Sequence, residues 1–278
     1  MISTTAAATL YIVATPIGNL NDLSPRARQV LSEVDAILVE DTRQSAVLLR
    51  HAGVSRPMLA VHEHNEGDRS SALVERLRAG QRLALISDAG TPLISDPGYR
   101  LVAAVRAAGF AVCAVPGPCA LVAALSVAGL PTDRFAFEGF LPSKAGERAA
   151  RLQALVADTH TLIFYEAPHR IVETLAAAVD AFGERRAVLA RELTKRFETV
   201  LDGTLAQLHA RVLADPDQQR GEMVLVIAGA PPSDDAARIA EGQRLYALLI
   251  EELPPARAAK IAATWTGAPK RALYGSTL

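Results

Sequence analysis

Two aspartates and two glycines lie in a loop that follows the apolar segment at residues 83–86. Asp88 and Asp96 offer carboxylate oxygens that can accept hydrogen bonds from the hydroxyl or amino groups of a ligand. Gly90 and Gly98 allow the backbone to approach a ligand closely. Ligands of open parallel sheets bind outside the carboxyl ends of the strands, so this pattern indicates a binding loop. The alternative interpretation is that both aspartates only stabilise turns.

The first half of the chain alternates short apolar segments with amphipathic patterns, which predicts a parallel, doubly wound sheet. Its strands are expected at residues 10–13, 36–39, 58–61, 83–86 and 110–115. Each segment ends in polar, glycine or proline residues, so the reactive side chains would gather along one edge of the sheet. Ser24 is expected to cap a helix with Pro25 at its first position, and Asp68 to cap another. Pro97 is expected early in a helix whose pattern starts at Tyr99.

The character of the sequence changes near residues 130–133, which predicts a domain junction. Strands follow more closely there and are expected at residues 134–138, 161–165, 187–190, 197–201 and 223–228, with a loop at 139–144. This spacing predicts a mixed second sheet. A Pro- and Asp-containing linker leads to helices broken at Pro254–Pro255 and Gly267. The sequence therefore predicts two α/β domains, at residues 1–129 and 130–231, and a small helical tail at residues 232–278.

Composition excludes several classes of protein. The 278 residues carry a formal net charge of −1, so nucleic-acid binding would need a local basic patch. Cys113 and Cys119 provide neither a disulfide framework nor metal-ligand spacing, so no metal is expected and a reducing compartment fits. The absence of a leader pattern and of a membrane-length apolar run predicts a cytoplasmic protein that makes no membrane contact. No dinucleotide- or triphosphate-binding glycine motif is present.

Six loops together identify a family. They stand in order at residues 15–23, 40–43, 87–98, 116–118, 165–170 and 191–195. With them the chain closely resembles the ribosomal small subunit methyltransferase I family, a branch of the tetrapyrrole methylase superfamily. The resemblance implies two α/β domains with S-adenosylmethionine in the cleft between them, in a homodimer. It also implies methylation of a ribose 2′-hydroxyl on a cytidine of 16S rRNA, in the decoding region of the 30S subunit.

The resemblance implies a set of cofactor-binding residues on the matching loops. They are Pro16, Gly18, Asp88, Ala89, Gly90, Thr91, Pro116, Gly117, Ala120, Ala167, Glu222 and Met223. The chain departs from the family pattern at Cys119, where the family often has Ser. It departs again near Glu198, which is the single carboxylate in a segment where the family tends to have consecutive acids.

Methyl transfer from a sulfonium to a hydroxyl requires in-line approach of the oxygen and removal of its proton. Several side chains at predicted strand ends are candidates for the base, and Lys195 is a candidate for stabilising negative charge; the possible bases are Asp41, Asp96, Glu166, His62 and His169. Glu166, His169 and Arg170 are ranked first as catalytic residues because they lie between a strand and a helix start. The alternative is that Pro168 marks an ordinary helix start and that His169 is structural.

Three groups of cations could hold RNA phosphates. The first is Arg185, Arg186, Arg191, Lys195 and Arg196; the second is Lys144, Arg148 and Arg151; the third, in the tail, is Arg257, Lys260, Lys270 and Arg271. Trp265 and Tyr274 could stack on bases, although Trp265 could instead pack inward. Two other functions remain open from the residues alone. One is methylation of a tetrapyrrole or another small molecule in the same cleft, and the other is a non-catalytic ribosome-assembly module that keeps the cofactor pocket.

Overall fold

The structure is a computed structural model that describes residues 8–61, 66–231 and 234–273, without the side chains of residues 66–69 and 234. The first sheet has the strand order β3-β2-β4-β1-β5, and all its pairs are parallel. Its strands are β1 (Thr9–Val13), β2 (Ala36–Val39), β3 (Met58–Ala60), β4 (Leu83–Leu85) and β5 (Ala111–Val115). The helices between and after them are α1 (Pro25–Glu33), α2 (Thr42–Ala52), α3 (Glu66–Arg78), α4 (Tyr99–Ala107) and α5 (Ala120–Val127).

Alternation along the strands builds a core on each face of the first sheet. Ile37 and Val39 of β2 pack with α1 and α2, whereas Ala36 and Leu38 pack with α3 and α4 on the opposite face. Helices therefore cover both faces, which confirms the doubly wound parallel sheet.

Local signals set most of the helix ends. Ser24 Oγ accepts a hydrogen bond from Ala27 N at 3.0 Å, and Pro25 occupies the first turn of α1, as predicted. Two expectations are wrong. Helix α3 begins at Glu66, so Asp68 lies inside its first turn and is not the cap. Pro97 precedes the helix, because Gly98, with φ +129°, is the residue that caps α4.

The second sheet has the order β6-β7-β10-β8-β9, with β6 and β7 parallel and the other pairs antiparallel, which confirms a mixed sheet. Its strands are β6 (Phe135–Phe140), β7 (Thr161–Glu166), β8 (Arg186–Arg191), β9 (Thr199–Thr204) and β10 (Met223–Ile227). Helices α6 (Ala145–Ala154), α7 (Ile171–Phe182) and α8 (Leu205–Ala214) pack on one face.

Two boundaries in the second sheet differ from the prediction. Residues 139 and 140 belong to β6 rather than to a loop, because a register shift after Phe137 keeps the strand paired with β7. The predicted strand at residues 197–201 begins at Thr199 and continues to Thr204, where it pairs with β8. Both differences arise from pairing with a distant strand, which short-range patterns do not reveal.

Helix α5 joins the two halves of the molecule. It follows the last strand of the first sheet, but its residues Leu121, Ala124 and Leu125 pack against Ile163 and Val224 of the second sheet. The two sheets are thereby held beside each other by a shared apolar core. The carboxyl ends of β1 and β4 then face the ends of β7 and β10 across a cleft.

The last described residues form three helices, α9 (Asp234–Leu249), α10 (Pro255–Thr266) and α11 (Lys270–Leu273), whose apolar cluster includes Ala262, Ala268 and Leu273. Pro255 starts α10 and the left-handed Gly267 ends it, as predicted. Across the described ranges, no helix is long and apolar enough to cross a bilayer.

Candidate active site

A cavity of about 370 Å³ lies in the cleft between the two sheets, and we call it the cleft cavity. Ile17, residues 89–91 and 94–96, and the start of α5 line it from the first half of the chain. The ends of β6, β7, β8 and β10 line the opposite side. Both halves of the chain therefore contribute to one site at the position where open α/β sheets bind ligands.

The loop after β4 is fixed to its neighbours by hydrogen bonds. Thr15 and Gly90 pair through their backbones, with N···O distances of 2.8 and 3.1 Å, and Gly90 has φ +86°. The Thr91 hydroxyl donates to the carbonyl of Pro118 at 2.9 Å. These bonds hold the loop against the β5–α5 connection, so the cavity wall is preorganised.

Positive φ angles occur in two of the loops that line the cleft cavity. Leu93 (φ 74°) and Ser95 (φ 64°) lie in the β4–α4 loop, and Glu192 (φ 52°) and Thr194 (φ 67°) follow β8. Within the described part of the chain these are the only non-glycine residues with positive φ. Such strain costs about 1–3 kcal/mol per residue and is typical of functional loops.

Seven of the twelve predicted cofactor-binding residues lie on the wall of the cleft cavity, and five do not. The seven are Ala89, Gly90, Thr91, Ala120, Ala167, Glu222 and Met223. Pro16 and Asp88 instead line a separate open groove with Gln44, and Asp88 accepts a hydrogen bond from Asp41 N at 3.2 Å.

The other three predicted cofactor residues also do not line the cleft cavity. Gly18 packs against Lys195, and a Cβ at Gly18 would lie 2.4 Å from Lys195 Cγ. Pro116 and Gly117 lie in the β5–α5 connection, and a Cβ at Gly117 would be 3.0 Å from Ala14 Cβ. The contacts of Gly18 with Lys195 and of Gly117 with Ala14 leave no room for a side chain at either glycine.

An aromatic wall, formed by Phe137, Phe140 and Tyr165, was not predicted from the sequence. Tyr165 meets Phe137 and Phe140 edge-on, with ring centroids 4.8 and 5.7 Å away. The Tyr165 hydroxyl accepts a hydrogen bond from Leu121 N at 3.1 Å. Burial, and then the adjacent Cys119, raise the pKa of Tyr165 well above its usual range, so the phenol stays protonated. A signal was available, since Tyr165 ends an apolar strand in front of a polar loop.

Glu166 is buried and fully engaged. It accepts hydrogen bonds from the Thr174 hydroxyl at 2.6 Å and from Ala167 N at 2.8 Å. Arg170 Nε lies 3.2 Å from Glu166 Oε1 as an ion pair, outside hydrogen-bond alignment. Arg170 also donates through Nη2 to the carbonyls of Leu141 (2.6 Å) and Pro142 (3.0 Å).

The predicted catalytic group is therefore only partly at the cavity. Glu166 lines the cleft cavity, whereas Arg170 and His169 do not. His169 lies in the short turn of helix at Pro168–Arg170, as the helix-start alternative predicted. His62 lies outside the described residues.

Lys195 bridges two carboxylates at the rim. Its Nζ lies 2.7 Å from Glu192 Oε1 and 2.8 Å from Glu222 Oε2. Partial burial would lower the pKa of Lys195, but the hydrogen bonds to both glutamates outweigh it and the pKa is raised. Burial would raise the pKa of Glu192, but hydrogen bonds from Lys195 and Glu222 N outweigh it, so the pKa lies below its usual value.

Asp96 lies half-buried on the cavity wall, beside Ser87 and Asp88. Burial is the main cause that raises its pKa; a hydrogen bond with Ser87 opposes the shift and the charge of Asp88 adds to it. Among the described residues, no group of three His, Cys, Asp or Glu side chains could hold a metal ion.

Most cations of the first two predicted RNA-binding groups serve the fold. Arg148 is buried and pairs with Glu173 at 3.0 Å, and Arg185 donates to the carbonyl of Val156 at 2.7 Å. Arg191 donates to Thr199 and to two backbone carbonyls. The third group is different, because its four cations lie exposed in the tail, and Trp265 is 80% exposed rather than packed inward. Tyr274 lies outside the described residues.

Comparison with known proteins gives two family matches. Residues 9–209 match the Tetrapyrrole (Corrin/Porphyrin) Methylases, and residues 236–276 match the RsmI C-terminal HTH domain. Among solved structures, a cobalt precorrin-4 methyltransferase shares the fold with a TM-score of 0.59 at 16% identity, covering 81% of this chain and 97% of that one. A diphthine synthase does so with a TM-score of 0.60 at 15% identity, covering 79% and 90%.

Relatives of much higher identity match along almost the whole chain. A protein of Xylella fastidiosa (strain Temecula1) named Ribosomal RNA small subunit methyltransferase I is 59% identical over 96% of this chain and 98% of its own length. Proteins of the same name from Pseudomonas aeruginosa and Escherichia coli O157:H7 are 55% and 49% identical, covering 98% and 95% of this chain and 98% and 93% of their own lengths. The chain therefore belongs to the ribosomal RNA small subunit methyltransferase I family, within the tetrapyrrole methylases.

Proposed function

We propose that this enzyme transfers a methyl group from S-adenosylmethionine to the ribose 2′-hydroxyl of a cytidine in 16S rRNA. The observation that carries the proposal is 59% identity, over nearly the full length of both chains, to a protein named as a small-subunit rRNA methyltransferase. The cleft cavity supports it, because one wall comes from each sheet and seven residues expected to bind the cofactor meet there.

The residues of the cleft cavity fit S-adenosylmethionine. Asp96, Glu166 and Glu222 line the wall, and in the described ranges no Lys, Arg or His side chain does. Glu166 and Glu222 are ion-paired with Arg170 and Lys195, so Asp96 is the wall carboxylate that suits a sulfonium cation. The rings of Tyr165 and Phe140 add favourable π-faces. The volume falls within the ~300–1,000 Å³ of small-molecule sites. When bound, the cofactor supplies an electrophilic methyl group.

The chain positions the reactants and excludes water. The hydrogen-bonded loop at residues 89–91 forms one side of the site, and the aromatic wall, with Leu193 and Met223, gives the opposite side an apolar surface. Orientation of this kind contributes about 7–11 kcal/mol in well-oriented reactions. The residues assigned to catalysis from the sequence, Glu166, His169 and Arg170, remain a prediction; their contacts favour a positioning role for Glu166 and Arg170.

RNA is the favoured substrate over a tetrapyrrole because of the tail. Helix α10 places Arg257, Ile261 and Trp265 at successive intervals of four residues, and all three are exposed. Cations flanking an exposed indole suit phosphates and unstacked bases. The proposal includes a homodimer that acts on the 30S particle in the cytoplasm, as the family resemblance implies.

Labelled S-adenosylmethionine tests this function. The protein is incubated with 30S particles, with naked 16S rRNA and with a porphyrin precursor, and the RNA is digested to nucleosides. Label in 2′-O-methylcytidine from 30S supports the proposal. Label only in the porphyrin precursor would establish the small-molecule alternative, and no label in any substrate would favour a non-catalytic assembly factor. Sedimentation of the purified protein tests the homodimer.

A further inference from the structure

The loop between β8 and β9, at residues 192–198, presents an arginine and a phenylalanine to solvent, and we call it the rim loop. Phe197 is 64% exposed, and Arg196 Cζ lies 5.5 Å from the centre of its ring. Leu193, in the same loop, lines the cleft cavity, whereas Arg196 and Phe197 do not. The exposed pair therefore stands beside the site and outside its wall.

The backbone of the rim loop is fixed from inside the protein. The buried Arg191 donates through Nη2 to the carbonyl of Phe197 at 3.1 Å. Glu198 Oε2 accepts a hydrogen bond from Thr194 N at 2.6 Å. Glu192 and Thr194 keep positive φ angles, which persist only where the surrounding structure enforces them. The fold therefore holds the segment that carries the Phe197 ring in one conformation.

The rim loop also contacts the first half of the chain. A Cβ at Gly18 would lie 2.4 Å from Lys195 Cγ and 2.5 Å from Lys195 Cε, so the lysine side chain lies directly on the loop after β1. Lys195 Nζ pairs with Glu222, which lines the cleft cavity. The rim loop is thus placed where both halves of the chain meet at the edge of the cavity.

Arg196 differs from the other cations of this region. Lys195 lies between two glutamates, and Arg191 donates to Thr199 and to backbone carbonyls. In the described part of the chain, by contrast, no ion pair joins Arg196 to an Asp or Glu. A guanidinium pairs well with phosphate and an exposed aromatic ring stacks on a base, so the two side chains together suit a nucleotide.

We propose that Arg196 and Phe197 hold an unpaired nucleotide of 16S rRNA next to the nucleotide that is methylated. This inference rests on the proposed function and adds residues that position its substrate. The base stacks on the Phe197 ring, and the Arg196 guanidinium pairs with the adjoining phosphate. Because the rim loop is fixed beside the cleft cavity, a nucleotide held there keeps the neighbouring ribose at the cavity. The tail contributes affinity for the particle, whereas the rim loop orients the target.

Substitutions at Phe197 test the stacked base. Single-turnover methylation of 30S, measured over a range of enzyme concentrations, gives the maximal rate and the half-saturating concentration. We expect the ratio of these two quantities to fall by ~5–100-fold in Phe197→Ala and in Phe197→Leu, as for the loss of one stacked base. Phe197→Trp should keep the wild-type ratio. Leucine retains an apolar side chain without a π-face, so its failure to restore activity distinguishes stacking from apolar contact.

The chain offers a matched control for both side chains. Arg134 and Phe135 are also adjacent and exposed, and Phe135 begins β6, whose other end reaches the cavity at Phe140. Phe135→Ala should keep the wild-type ratio. Calorimetric affinity for S-adenosylmethionine should equal that of the wild type in every variant, because none of these side chains except Phe140, which is unchanged, lines the cavity.

Arg196→Gln tests the phosphate contact. The affinity for 30S is measured between about 50 and 200 mM salt, and the slope of log affinity against log salt should become shallower by about 0.7–0.9. Arg196→Lys keeps the charge and should keep the slope, and so should the control Arg134→Gln.

A photo-cross-linker locates the bound nucleotide. With p-benzoylphenylalanine incorporated at position 197, irradiation of the complex with 30S should join the protein to 16S rRNA, and reverse transcription maps the site. We expect the cross-link beside the methylated cytidine. A cross-link to a distant part of the rRNA or to a ribosomal protein would contradict the inference.

Other results would also overturn it. They are wild-type kinetics in Phe197→Ala, full activity in Phe197→Leu, or an unchanged salt slope in Arg196→Gln. Sedimentation that shows a change from dimer to monomer in Phe197→Ala would instead make the ring a contact with a second copy of the chain. If Phe197→Ala does not fold, the comparison of Phe197→Leu with Phe197→Trp decides. All these failures leave the proposed function standing if the wild type labels RNA, whereas a wild type that labels no RNA removes both.

Discussion

Glu166 is a buried carboxylate whose charge Arg170 balances, so removing the arginine leaves an uncompensated charge. We predict that Arg170→Met lowers the free energy of unfolding by about 3–5 kcal/mol. The same change also releases the hydrogen bonds to Leu141 and Pro142, which tie the end of β6 to β7. Urea denaturation measures the effect. Arg134→Met, at an exposed position, is the control, and equal losses in both variants would contradict the argument.

Lys195 makes stability depend on pH through Glu192. The pKa of Glu192 is lowered in the folded state, so its contribution is present above its usual value of 4.5 and is lost as pH falls through the lowered value. The raised pKa of Lys195 contributes until pH rises through it, above 10.5. At neutral pH both contributions are complete.

We predict that Lys195→Met lowers stability at pH 7 by about 1 kcal/mol, or ~2–4 °C in melting temperature. The variant should also lose less stability than the wild type between pH 5 and pH 3, because Glu192 no longer has its cation. Melting curves across this range check both statements. A parallel fall in the two proteins would show that Lys195 does not lower the pKa of Glu192.

At the scale of elements, Gly229 has no room for a Cβ atom, whereas Gly146 does. A Cβ at Gly229, just beyond β10, would lie 2.0 Å from the carbonyl oxygen of Thr159, and a backbone oxygen cannot move aside cheaply. Gly146, in α6, has nothing within 4 Å of the same position. We predict that Gly229→Ala destabilises by about 1–3 kcal/mol, whereas Gly146→Ala stabilises by about 0.5 kcal/mol. Denaturant midpoints of the two variants should therefore move in opposite directions.

Elements could be predicted from the sequence wherever the signal is local. Apolar runs located the ten strands of the described chain, and Ser24 and Gly267 marked helix ends because capping depends on neighbouring residues. The extension of β6 through Phe140 was missed because it depends on pairing with β7. The domain boundary at residue 129 stays a prediction, and α5 before it packs on the second sheet through contacts that no local pattern encodes.

The site was only partly predictable for the same reason. The loop at the end of a predicted strand pointed to Gly90, since parallel strands bring such loops to one edge. Thr91 and Glu222 were expected from the family resemblance alone. Tyr165 and Leu193 complete the cavity from the other half of the chain. The ion pairs of Glu166 with Arg170 and of Glu222 with Lys195 depend on side-chain geometry that the sequence does not contain.

At the scale of the molecule, the cleft cavity and the exposed cations of the tail lie in separate parts of the chain. The described core clusters of both sheets are complete before residue 231, whereas the tail has a small cluster of its own that includes Ile239, Tyr246 and Leu273. No described residue of the tail lines the cleft cavity. Removing the tail should therefore leave the cofactor site intact and remove exposed cations.

We predict that a protein ending at Ala230 binds S-adenosylmethionine within about twofold of the full chain, while its affinity for 30S falls at least ~10-fold as phosphate contacts are lost. Calorimetry and filter binding measure the two affinities. Trp265→Ala in the full chain supplies a milder test, because the indole is 80% exposed and its loss should spare the fold. Stacking of one base is worth about 1–3 kcal/mol, so this variant should weaken 30S binding without affecting the cofactor. Equal RNA affinity in truncated and full-length protein would place the RNA contacts on the two sheets instead.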